Sequence, residues 1–111
     1  MTFSLLLLAH WIGDFGLQTS NMALNKSKSL KWLLLHVLTY TGVLLAFSAF
    51  LISLEDLIFF VAVNGLLHGI TDFFTSKLAD RYKDIPRRFF PILGLDQLLH
   101  TLTLYWTLQM I

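Results

Sequence analysis

"LLHGITDFF", residues 66–74, places a histidine and an aspartate four positions apart inside one of the most apolar stretches of the chain. On a helix, positions i and i+4 share a face, so His68 and Asp72 aim at one place. Residues 57–76 around them hold no other formal charge, and about 20 mostly apolar residues suffice to cross the hydrocarbon core of a bilayer. The stretch reads as a membrane helix with an ionisable pair inside it. A carboxylate there costs roughly 2.5–3.5 kcal/mol on insertion scales unless something offsets its charge.

Working outward, charges punctuate three more apolar stretches: residues 1–25 hold only Asp14, 32–54 hold no charge, and 89–111 hold only Asp96. The 111 residues suit one domain, and 56% are hydrophobic against 14% charged, where soluble domains average about 45–50% and 25%. The mean hydropathy of +0.69 agrees. The expected fold is all-α, a four-helix transmembrane bundle with approximate spans 2–18, 31–53, 57–77 and 90–111. The first span is short, because apolar character fades after Leu17. It lacks the basic start and small-residue cleavage pattern of a secretory signal, so it reads as a retained helix. "TSNMALNKSKSL" (19–30) has room for a short interfacial helix. "ADRYKDIPRRFFP" (79–91) ends in a proline suited to the first turn of the last helix.

Every Lys and Arg, eight in all, flanks the first or third loop: Lys26, Lys28, Lys31, then Lys77, Arg81, Lys83, Arg87 and Arg88. The second loop carries Glu55 and Asp56 instead. The positive-inside rule puts loops one and three in the cytoplasm and both termini outside.

The four histidines, His10, His36, His68 and His100, fall one per expected helix, and three have an aspartate four residues away: Asp14, Asp72 and Asp96. With the topology applied, all three Asp lie nearer the cytoplasm and the paired His lie deeper, by roughly 6 Å at 1.5 Å per residue. His36 enters about 9 Å from Leu30, between the tiers. The topology rests on Lys and Arg alone, so the alignment of His and Asp in depth is independent of it. Apart from Lys31 and Lys77 at span ends, no Lys or Arg lies within the spans, which leaves a divalent metal or protonated carboxylates to settle the charge. The candidate metal ligands are His10, Asp14, His36, His68, Asp72, Asp96 and His100. Metal-bound histidines donate their second N–H to nearby polar groups; Gln18, Tyr40 and Asn64, each four residues from a candidate ligand, are placed to accept, although each reads first as a helix–helix hydrogen bond. Gln97 is a fourth candidate, although its adjacency to Asp96 turns it toward another face. Gly65 and Gly69 mark close packing of helix three. Trp11, Trp32, Trp106, Phe89 and Phe90 read as lipid-facing or interfacial anchors.

"HWIGDFGLQTS" (10–20), "NKSKSLKWLLLH" (25–36), "HGITDFFTSK" (68–77) and "LDQLLH" (95–100) together resemble domain of unknown function 3307, a family of small bacterial and phage membrane proteins. The likeness spans nearly the whole chain with no departure from the pattern. It implies a multi-pass protein of the bacterial inner membrane and carries no activity with it.

The residues point first to a metal-dependent hydrolase. His and Asp without Cys suit Zn²⁺, Mn²⁺ or Fe²⁺, and seven ligands exceed what one tetrahedral ion takes. Two ions would suit a phosphate or similar ester. The basic loops attract anionic lipid head groups, making a lipid-like substrate in the cytoplasmic leaflet the natural choice. Proton or metal-ion translocation is the second reading, weakened by the scarcity of ionisable groups toward the outside and by the thin conduit that four short helices make unless the chain forms a homo-oligomer. A non-enzymatic membrane module with a structural metal, for example in phage exclusion, is the third. The absence of cysteine removes disulfides and thiolate sites. No Gly-rich phosphate loop, Ser–His–Asp pattern or nucleic-acid motif is present.

Overall fold

The computed structural model describes all 111 residues as helices and short connections without a strand: α1 (Thr2–Trp11), a π-helical turn (Ile12–Gly16), α2 (Ser20–Asn25), α3 (Leu30–Leu51), α4 (Leu54–Arg81) and α5 (Pro86–Gln109). The helix expected over 2–18 gives up α-geometry at Trp11; the wider turn carries it to Gly16. Thr19 then starts α2 by accepting the Met22 amide at 3.2 Å, so the 19–30 loop does contain a short helix. Glu55 and Asp56 sit in the first turn of α4, where carboxylates oppose the positive end of the helix dipole. The start of α5 is earlier than expected: Pro86 takes the first turn, and Pro91 lies inside the helix.

The long helices form a ring in which α1 packs on α3 and α5, and α4 packs on α3 and α5. Two close approaches set it. A Cβ on Gly65 would stand 2.7 Å from Thr41 Oγ1, and one on Gly13 would stand 3.1 Å from the Tyr40 Cα. Glycine at these positions lets α4 and the π-helical turn lie against α3. Gly69 faces Val37 in the same seam.

The interior has two halves. Leu6, Leu44, Leu57, Phe60 and Leu104 fill one end; His10, Asp14, His36, His68, Asp72, Asp96 and His100 fill the other. Twelve of the 23 buried residues are polar or charged, while Leu, Ile, Phe and Trp side chains cover the outside, with Trp11, Phe90 and Trp106 all more than half exposed. Trp32 and Phe89 are half-buried. This reverses the usual polarity of a soluble domain. Two helices, α3 and α4, are long and apolar enough to cross a membrane.

Candidate metal centre

Each long helix brings its polar residues to the shared end. α3 buries Leu33, His36, Tyr40, Leu44 and Ser48 at helical spacing, α4 presents Asn64, His68, Asp72 and Thr75, and α5 presents Asp96 and His100. The π-helical turn delivers Asp14; such turns widen the ladder locally and recur at functional sites.

The four atoms nearest the centre are the Nε2 nitrogens of His36 and His68, Asp14 Oδ1 and Asp72 Oδ2. His36 Nε2 lies 2.9 Å from each oxygen, His68 Nε2 lies 3.4 Å from each, and the two nitrogens are 3.2 Å apart. A tetrahedral ion bound at ~2.0 Å holds its donors roughly 3.3 Å from one another, which is the scale of these edges. Hydrogen bonding alone serves the cluster poorly. Each ring nitrogen has one proton or one lone pair to offer, and Asp14 Oδ1 is buried without an acceptable hydrogen bond despite two nitrogens within 3.4 Å. Four electron-rich atoms converging on one point suit a cation.

The i,i+4 pairs exchange partners. Within helices, His10–Asp14, His68–Asp72 and His100–Asp96 are 3.6, 3.4 and 3.2 Å apart. Between helices, Asp72 comes to 2.9 Å from His36 and 3.1 Å from His100, and Asp14 to 2.9 Å from His36. The carboxylates bind the bundle together rather than closing three private pairs. Asp14, Asp96 and His100 form a second group able to hold an ion, sharing Asp14 with the first.

His10 belongs to neither group. Its Nε2–H donates to Gln97 Oε1 at 2.9 Å, and Nδ1 faces the Tyr40 hydroxyl at 3.2 Å. Gln97 does not turn away: its amide donates to Asp14 Oδ2 and to Asp96 Oδ2, both at 3.0 Å. Tyr40 stacks on His68 at 3.8 Å, His100 lies over the other side at 4.0 Å, and the imidazole is held between them. Asn64 is not a partner of His68; it donates to the Phe60 carbonyl and the Thr107 hydroxyl. Gln18 Oε1 is buried without a partner, as are the Nδ1 atoms of His36 and His68.

Two further residues join the site. The Thr75 hydroxyl donates to Asp96 Oδ1. Lys26 reaches in from the end of α2 to place Nζ 3.5 Å from Asp72 Oδ2, which corrects the expectation that no basic side chain meets the carboxylates. Nothing in the sequence pattern distinguishes Lys26 from the other loop lysines; its 46-residue separation from Asp72 hides the contact. When the imidazoles are neutral, as metal ligation requires, Asp14, Asp72 and Asp96 against Lys26 leave two negative charges, which one dication offsets.

Fold and site thus define an all-helical protein whose polar interior could hold a metal ion. The chain belongs to the family described as protein of unknown function, DUF3307, whose pattern matches residues 2–111. No curated protein and no solved structure matches it.

Proposed function

We propose that this is a four-span membrane protein with a divalent-metal centre beneath basic cytoplasmic loops, acting as a metal-dependent hydrolase on a lipid-like or phosphate-ester substrate. The observation that carries the reading is the convergence of His36, His68, Asp14 and Asp72 on one buried point where Asp14 Oδ1 has no hydrogen bond. The apolar exterior supports the membrane setting, as do Thr39 and Thr103, whose outward hydroxyls donate to their own helix carbonyls at 2.8 Å, the arrangement that suits a solvent offering no partners. Leu6, Leu44, Phe60 and Leu104 are fully buried across the far half. The polar residues buried with them, Ser48, Asn64 and Thr107, do not ionise, which disfavours a proton or metal-ion path.

In this reading His36, His68, Asp14 and Asp72 hold the ion, which when bound supplies Lewis-acid polarisation and an activated water. Asp96 lines a cavity open toward the basic loops and lies 3.2 Å from His100, a carboxylate–imidazole pair placed to take a proton from water. Gln97 and Tyr40 fix the surrounding rings and carboxylates.

Elemental analysis of the protein purified in mild detergent tests the ion, and ester hydrolysis in mixed micelles by the parent and Asp96→Asn tests the reaction. A stoichiometric transition metal with hydrolysis lost in Asp96→Asn is expected. Only traces of metal after reconstitution at neutral pH would overturn the centre. A stoichiometric metal without hydrolysis of any phosphate or carboxylic ester would leave a structural metal and overturn the enzyme.

A further inference from the structure

Between α2, α4 and α5 lies a cavity of ≈ 620 Å³ with Asp72 and Asp96 at the metal-centre end and Lys26, Lys28 and Lys83 toward the loops. Its charges are not equivalent. Asp72 and Asp96 belong to the centre, and Lys83 pairs with Asp80 at 3.6 Å. Lys28 makes no ion pair, and Lys26 stands at the boundary with its ammonium 3.5 Å from Asp72 Oδ2. Ser76 lines the same space, is only 9% exposed, and its Oγ is buried without a hydrogen-bond partner. A buried hydroxyl left unmatched costs free energy, so this one awaits an acceptor. Leu24, Phe89 and Leu93 complete the wall, giving a polar floor and an apolar flank.

We infer that this cavity binds a phosphate group, with Lys26, Lys28 and Ser76 as its protein donors and the esterified remainder against Leu24, Phe89 and Leu93. Phosphate suits the place on three counts. Its charge is met by the Lys28 ammonium once one dication and Lys26 together have offset the three carboxylates of the centre, a step that rests on the reading above. Its oxygens accept from both lysines and from Ser76. The space exceeds one phosphate group and accommodates a glycerol or similar head. A phospholipid reaching in from the leaflet and a soluble phosphate ester share this chemistry.

The whole protein, zinc-loaded in a maltoside detergent, is titrated by calorimetry with dihexanoyl phosphatidic acid, inorganic phosphate and dihexanoylglycerol, with bound metal measured in every sample. Saturable binding of phosphatidic acid, none of dihexanoylglycerol, and affinity weakened about tenfold or more by Lys28→Ala, with metal content unchanged, are expected. Ser76→Ala should weaken binding in the same direction. Binding of inorganic phosphate without phosphatidic acid would support the phosphate site and assign its ligand to the soluble source. Failure of both phosphate ligands to bind a metal-loaded protein, or equal binding by Lys28→Ala, would overturn the inference while leaving the centre standing. Lys28-dependent binding by protein that holds no metal would leave the cavity standing and overturn the centre.

Discussion

Asp72→Asn separates a shared centre from a set of independent hydrogen bonds. The carboxylate touches four groups: His36 at 2.9 Å, His100 at 3.1 Å, His68 at 3.4 Å and Lys26 at 3.5 Å. Asparagine keeps its shape and removes its charge. If the parent is saturated with an ion at about 100 times the dissociation constant, binding contributes ~2.7 kcal/mol to stability. For a chain of this size that corresponds to a chelator-induced fall in Tm on the order of 10 °C. Loss of a charged ligand should weaken affinity at least as much as loss of an outer hydrogen-bond partner, roughly 10–100-fold. At the same free metal concentration a 100-fold loss leaves ~0.4 kcal/mol, and chelation should then move the variant by only a few degrees, on the order of 2 °C.

The gap in stability supplies a second signature. Asp72→Asn also strips Lys26, His36 and His100 of a buried partner, a loss present with or without metal. The variant should therefore be less stable than the parent in zinc, and the gap should narrow in chelator as the metal contribution is removed. Thermal unfolding in detergent, followed by intrinsic fluorescence under both conditions, reads this directly. A parent whose Tm ignores the chelator, with an unchanged gap to the variant, would refute the shared centre.

Gly65→Ala should cost roughly 1–3 kcal/mol by overpacking, because its Cβ would lie 2.7 and 3.2 Å from Thr41 Oγ1 and Cγ2. Adding Thr41→Ala should recover most of the loss, and strict additivity in the double-mutant cycle would refute the contact. Gln97→Leu, which strips His10, Asp14 and Asp96 of a common partner, should weaken zinc binding roughly 10–100-fold in a chelator competition; parent-like affinity would remove Gln97 from the site. An impermeant thiol reagent on intact cells should label Ser53→Cys and spare Ser27→Cys and Asp84→Cys, and the opposite pattern would invert the proposed topology.

The helical character and the polar residues that converge were legible because both follow from short-range geometry. A 3.6-residue period puts His68 and Asp72 on one face whatever surrounds them. What the sequence could not convey depended on neighbours. Asp96 and Gln97 are about 100° apart on a helix, which suggested that only one could face inward. In the ring, α5 lies between α4 and α1. Asp96 meets Thr75 on one side, and Gln97 meets His10 and Asp14 on the other. Asn64 shares a face with His68 but lies one turn nearer the apolar half, where it makes a helix–helix hydrogen bond to Thr107. Topology accounts for Lys26 in the sequence, yet its long side chain at the end of a short helix turns back to Asp72.

The exchange of partners decides what the repeated His-and-Asp spacing is for. An isolated i,i+4 pair is satisfied within its own helix and places no demand on the others. Here the shortest contacts of Asp14 and Asp72 are to other helices, at 2.9 Å to His36, which has no aspartate of its own at that spacing. His36 therefore closes the cluster from α3, and both carboxylates turn toward it. The i,i+4 spacing sets depth and face; the ring then regroups the side chains around a point where Asp14 Oδ1 is buried without a hydrogen bond. Asp72 can be accommodated in so apolar a stretch because its charge is shared by three helices and Lys26, and with neutral imidazoles the three carboxylates still exceed that lysine by two negative charges.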